Sequence, residues 1–212
     1  MRSKIGEILC IVLLFSAAGN AQLLSGFGVK GGAVSAIQSW DYPAFGTSLP
    51  NDHRWGIDLG VFVEGLRLPY FSVLGEVHYI QKGFSTSLLI TTPQSPDGTG
   101  EFLTLRPRLD YLSIPILAKL RFETGVLTPY IYAGPRFDIR LGHNEELVGA
   151  VYEKFKSTDV GASLGVGLEL PLTAMPDLLV EFRYSPSFAD AFKTQSVIVR
   201  NESFEILLGV LF

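Results

Sequence analysis

Residues 159–170 read Asp-Val-Gly-Ala-Ser-Leu-Gly-Val-Gly-Leu-Glu-Leu. Every second residue is apolar: Val160, Ala162, Leu164, Val166, Leu168 and Leu170. Between them stand Asp159, Gly161, Ser163, Gly165, Gly167 and Glu169. Side chains alternate between the two faces of a strand, so this spacing predicts a strand with one wholly apolar face and one of small or charged residues. Two neighbouring stretches repeat it. Leu112, Ile114, Ile116, Ala118, Leu120 and Phe122 oppose Ser113, Pro115, Leu117, Lys119 and Arg121. Ile131, Ala133, Pro135, Phe137, Ile139 and Leu141 oppose Tyr130, Tyr132, Gly134, Arg136, Asp138 and Arg140. Residues 27–34, 57–64, 73–80, 178–184 and 204–212 permit the same phase, which makes eight strands.

The apolar faces of these strands carry no charge. The other faces collect Asp58, Glu64, Glu76, Asp138, Asp159, Glu169, Glu181 and Glu205 against Lys30, Lys119, Arg121, Arg136, Arg140 and Arg183. A soluble small barrel buries its apolar face and shows charge to water. A membrane barrel inverts this, because one Arg or Lys at the lipid midplane costs roughly 2–4 kcal/mol. The near-balance of acids and bases fits a closed interior in which they pair, since an unpaired buried charge is expensive. The expected fold is therefore all-β: an eight-stranded antiparallel transmembrane barrel with those fourteen residues forming an ion-pair network in its lumen.

The links between strands alternate in length. Those at 65–72, 123–129 and 171–177 are short and marked by Pro69, Gly125, Pro129, Pro171 and Pro176. Those at 36–56, 84–108, 142–158 and 185–203 are long and polar. Outer-membrane barrels have short periplasmic turns and long external loops, which would place both termini in the periplasm. Trp40, Tyr42 and Trp55 would flank the first external loop at the membrane surface. Together with Phe45 they are the candidate external binding residues. Tyr70, Phe71, Phe122 and Phe212 would form the opposite girdle. The closing Leu208-Gly209-Val210-Leu211-Phe212 resembles the C-terminal signal read by the barrel-insertion machinery, with Phe212 as its key residue.

At the other end, Arg2 and Lys4 precede an apolar run from Ile8 to Ala18, and Gly19-Asn20-Ala21 supplies small residues for cleavage before Gln22. This predicts a secretory signal peptide over 1–21 and a barrel domain over 22–212. The run is too short to span a bilayer as a helix. The one cysteine, Cys10, lies in this segment, so a cleaved chain has neither a disulfide nor a thiol site. Composition agrees with the barrel: 212 residues, 47% hydrophobic, 18% charged, net charge −4. Disorder is excluded by that apolarity, and the acidic balance argues against a nucleic-acid partner.

Several stretches resemble the PorT-like outer-membrane β-barrel family of Gram-negative bacteria: Gly28-Val29-Lys30-Gly31-Gly32, Gln81-Lys82-Gly83, Tyr111-Leu112-Ser113-Ile114-Pro115 with Lys119, and Pro129-Tyr130 with Ala133-Gly134-Pro135. The resemblance spans 22–212. It implies a small barrel of the outer membrane in a diderm bacterium, and its namesake serves a protein secretion and gliding system. Ser113 stands where the family pattern has an acidic residue, which removes one lumen carboxylate.

Chemistry is sparse. Residues 26–31 match G-x-G-x-x-G, but a strand follows instead of the helix a dinucleotide site needs. His53, His78 and His143 show no metal-ligand spacing, and no cofactor is implied. Ser48, Asp52 and His53 are neighbours in the first loop, the one imaginable rim site for a lipid-modifying enzyme. Eight strands enclose a lumen just wide enough for side chains, which disfavours an open pore. The sequence thus points to a monomeric, non-enzymatic barrel with a plugged lumen, held by outer-membrane lipid and acting through structure or its external loops. Its remaining partner would be an envelope protein. A secretion component, a rim enzyme and a narrow pore are the alternatives.

Overall fold

A computed structural model describes residues 24–42, 47–49, 51–91, 93, 95–122, 124–144, 155–172, 175–191 and 198–212. The expected signal segment and Phe45 lie outside the described residues. The strands are β1 (Leu24–Tyr42), β2 (Thr47–Leu49), β3 (Arg54–Gly65), β4 (Phe71–Gly83), β5 (Thr86–Leu89), β6 (Phe102–Leu105), β7 (Arg108–Arg121), β8 (Thr128–His143), β9 (Thr158–Leu170), β10 (Asp177–Pro186) and β11 (Ile198–Leu211). Eight of these form one wall in the order β11-β10-β9-β8-β7-β4-β3-β1, and β11 pairs back onto β1. That seam is antiparallel and runs from Gly28 opposite Leu211 to Asp41 opposite Ile198. Closure leaves the wall without a free edge, which a backbone in hydrocarbon requires. The expected eight-stranded barrel is therefore the fold, and its three short links span only residues 66–70, 122–127 and 171–176 between strand ends.

The long links differ from expectation. β1 continues through residues 36–42, and β2 folds back on it with Trp40 opposite Leu49. The second link holds its own two-stranded sheet, β5 with β6. Local pairing extends the strands past the point where alternation of apolar residues stops. A transmembrane strand needs only about 9–11 residues, so β1, with 19, outruns the bilayer at the end opposite the termini.

There the polarity of the wall inverts. Up to Ala33, β1 turns Phe27, Val29 and Ala33 outward and Lys30 inward. Beyond it, Ser35, Ser39 and Asp41 face outward, joined by Glu202 and Arg200 on β11 and Gln81 on β4. Inside, Val34, Ala36, Ile80, Leu109, Tyr111 and Val199 pack with Phe84, Phe155 and Ala191 from the links, interleaved with the buried Gln38, Lys82 and Asn201. Around the seam, the far end of the barrel thus carries a more polar outer face and a partly apolar interior.

Lumen width is managed locally. Gly167 and Gly165 stand opposite Tyr130 and Tyr132, and a Cβ on either glycine would enter the facing ring. The glycines on β9 give the tyrosines of β8 the space their rings fill.

Candidate functional site

The inward face holds three layers of charge, each spanning several strands. Nearest the termini, Lys119 Nζ lies 3.2 Å from Glu64 Oε2 and 2.9 Å from Glu169 Oε2, over the ring of Tyr130. Arg121 Nη1 approaches Glu64 Oε1 at 3.0 Å, off the line of a hydrogen bond, so this attraction is Coulombic. Arg67, half-exposed in the first turn, reaches Glu169 at 3.6 Å.

The middle layer is the densest. Lys30 Nζ bridges Glu76 Oε1 (2.7 Å) and Glu181 Oε1 (2.6 Å). Arg183 meets Glu76 at 2.7 Å, Glu181 at 3.2 Å and Glu205 at 3.7 Å. His78 lies between Asp58 (2.6 Å from Nδ1) and Glu76 (3.0 Å from Nε2). Tyr130 and Tyr132 donate their hydroxyls to Glu181. Glu76 and Glu181 thus have several donors each, the condition under which a buried ion cluster is tolerated.

In the third layer Lys82 lies 2.6 Å and Arg136 3.0 Å from Asp138 Oδ2. Asp159 accepts from Ser187 and Asn201, and Gln38 donates to Asn201. Above this the apolar layer closes the mouth. Trp40 packs against Phe84 and Phe155, with ring centroids 5.8 and 5.9 Å away.

Thirteen of the fourteen residues assigned to the lumen by alternation are buried there: Lys30, Asp58, Glu64, Glu76, Lys119, Arg121, Arg136, Asp138, Asp159, Glu169, Glu181, Arg183 and Glu205. Arg140, opposite the buried Tyr111 and in phase with Arg136 and Asp138, is half-buried, beside a bulge that shifts the β7–β8 register. Lys82 is a further buried base, and its signal was visible in phase with Glu76 and His78, two residues past the end of the alternating run. Lys119 finds its carboxylates on β3 and β9, without needing one at Ser113.

The candidate binding residues scatter. Trp40 lies in β1 and turns inward to the cap, because the wall changes polarity below it. Tyr42 ends the same strand, half-buried. Trp55 starts β3, faces outward and is 67% exposed. Of the imagined rim site, His53 Nδ1 lies 3.1 Å from Ser35 Oγ. Asp52 instead exchanges backbone hydrogen bonds with Ser85, and the side chain of Ser48 lies outside the described residues. Phe212 stacks on Phe27 at 5.4 Å across the seam.

Comparison with known proteins meets the same architecture. The family described as "Outer membrane protein beta-barrel domain" matches residues 20–193. The chain belongs to that family. It is a transmembrane β-barrel of the outer membrane. Solved structures with similar folds include Neisserial surface protein A, 18% identical over 89% of this chain and 99% of that one, TM-score 0.50. Others are the outer membrane protein OprG from Pseudomonas aeruginosa, 13% identical over 90% and 97%, TM-score 0.48, and the outer membrane protease OmpT from Escherichia coli, 9% identical over 91% and 97%, TM-score 0.46. No curated protein matches the chain in sequence.

Proposed function

We propose that this barrel is a non-conducting, non-enzymatic outer-membrane protein whose loop-bearing end, facing the outside, is its working surface. The observation that carries the reading is the double closure of the lumen: an apolar seal of Trp40, Phe84 and Phe155 above ion-paired layers. An eight-stranded barrel has room for side chains or for a path, and here the side chains take it. The orientation, with both termini periplasmic, rests on the short turns and long links. A signal peptide over 1–21 and recognition of Phe212 by the insertion machinery complete the route to the membrane. The motifs around Lys30, Lys82, Tyr111 and Lys119 support a place among PorT-like barrels, with an envelope protein as partner. The test is solute flux through liposomes carrying the folded chain. Swelling rates should equal those of empty vesicles; steady swelling in small sugars would overturn the reading.

A further inference from the structure

We propose that the three turns at the termini end of the barrel are themselves immersed in lipid, extending the hydrocarbon contact past the strand ends. Most of their described side chains are apolar and open. Val126 is 81% exposed, Tyr70 70%, Met175 67% and Leu68 60%, with Leu66 and Phe122 more than half exposed. Across residues 66–70, 122–127 and 171–176 the sequence carries two charges, Arg67 and Glu123. Arg67 reaches Glu169 inside the barrel. A turn meant for water would carry polar residues at these tips.

Two of the strands, β3 and β10, have outward apolar runs shorter than the apolar band. On β3 the outward apolar run goes from Trp55 to Val63. Eight residue steps at about 3.3 Å, tilted by about 40°, rise roughly 20 Å, against an apolar band of about 25 Å. Leu66 and Leu68 supply the missing height. On β10 the run from Leu178 to Tyr184 is shorter still, and Met175 continues it. The patch is thus continuous with the lipid-facing wall.

Hydrocarbon also demands that backbone groups be satisfied without water. Several groups of the described turn residues meet this. Leu68 and Phe71 exchange backbone hydrogen bonds at 2.7 and 3.3 Å. Phe122 N donates to Pro129 O at 2.9 Å. Thr124 Oγ1 donates to Leu127 O at 2.6 Å. Leu172 N donates to the Asp177 carboxylate at 3.2 Å. The occupant that fits is therefore lipid.

Single cysteines at Val126, Met175 and Leu68, in a chain with Cys10→Ser, provide the test. Each is spin-labelled in the folded barrel in phosphatidylethanolamine–phosphatidylglycerol vesicles, and collisions with oxygen and with a water-soluble nickel chelate are measured. The oxygen-to-nickel ratio should approach that of a label at Ile116 and exceed that at Asp97 severalfold. Nickel access equal to that at Asp97 would overturn the proposal, since the turns would stand in water. So would protection from both reagents, since protein would then cover them. Three sites keep the result readable if one variant fails to fold.

Discussion

Lys30 Nζ and Glu181 Oε1, 151 residues apart in sequence, lie 2.6 Å apart in the lumen. The same ammonium serves Glu76, so one cation ties β1 to β4 and β10. Removing it leaves Glu76 to Arg183 and His78, and Glu181 to Arg183 and two tyrosine hydroxyls. Lys30→Met should therefore cost about 3–5 kcal/mol, read as a lower urea midpoint for the folded barrel in lipid. An unchanged midpoint would mean that water already solvates this layer.

Lys82 is the gentler case. Asp138 keeps Arg136 at 3.0 Å when Lys82 is lost, so Lys82→Met should cost only about 1.5–3 kcal/mol. Side-by-side unfolding of the two variants checks the order, and a larger loss for Lys82→Met would contradict it.

Polarity along the wall makes a position-dependent prediction. Ile116→Arg, in the middle of the apolar band on β7, should destabilise by roughly 2–4 kcal/mol. Ser39→Arg, outward on β1 above the band, should be nearly neutral. Equal losses would move the membrane boundary away from Ala33.

Glycine substitutions probe the lumen directly. A Cβ on Gly167 would collide with the Tyr130 ring, whereas one on Gly142 meets nothing within 4 Å. Gly167→Ala should cost about 1–3 kcal/mol and Gly142→Ala little, compared by thermal melting in detergent.

Phe155 is fully buried although it lies between strands. Phe155→Ala should cost about 3 kcal/mol without opening a path, because the ion-paired layers below it remain. Liposome swelling of this variant at wild-type background is the expected result; new flux would show that the seal alone holds the lumen shut.

Alternation from Val160 to Leu170 carried the architecture, because a bilayer enforces the contrast between faces at every second residue. The same rule failed where the bilayer ends. Trp40 reads as a surface aromatic only if apolar means outward, and above Ala33 that relation reverses. Lys82 was passed over because the apolar residues that fixed the phase stop at Tyr79. The burial of Phe155 and Ala191 leaves no periodic trace: each stands in a link without alternation, placed by contacts that only the closed wall creates. Thr86–Leu89 carries no alternation either, and its pairing with β6 depends on a turn rather than on a buried face.

The seam between Gly28 and Leu211 joins the two ends of the barrel domain. A ribosome must pass the last strand before that joint can form, so a product truncated within the barrel would arrive at the membrane as an open ribbon with two raw borders. Loss of the last strand is thereby exposed at one inspection point, the final zip.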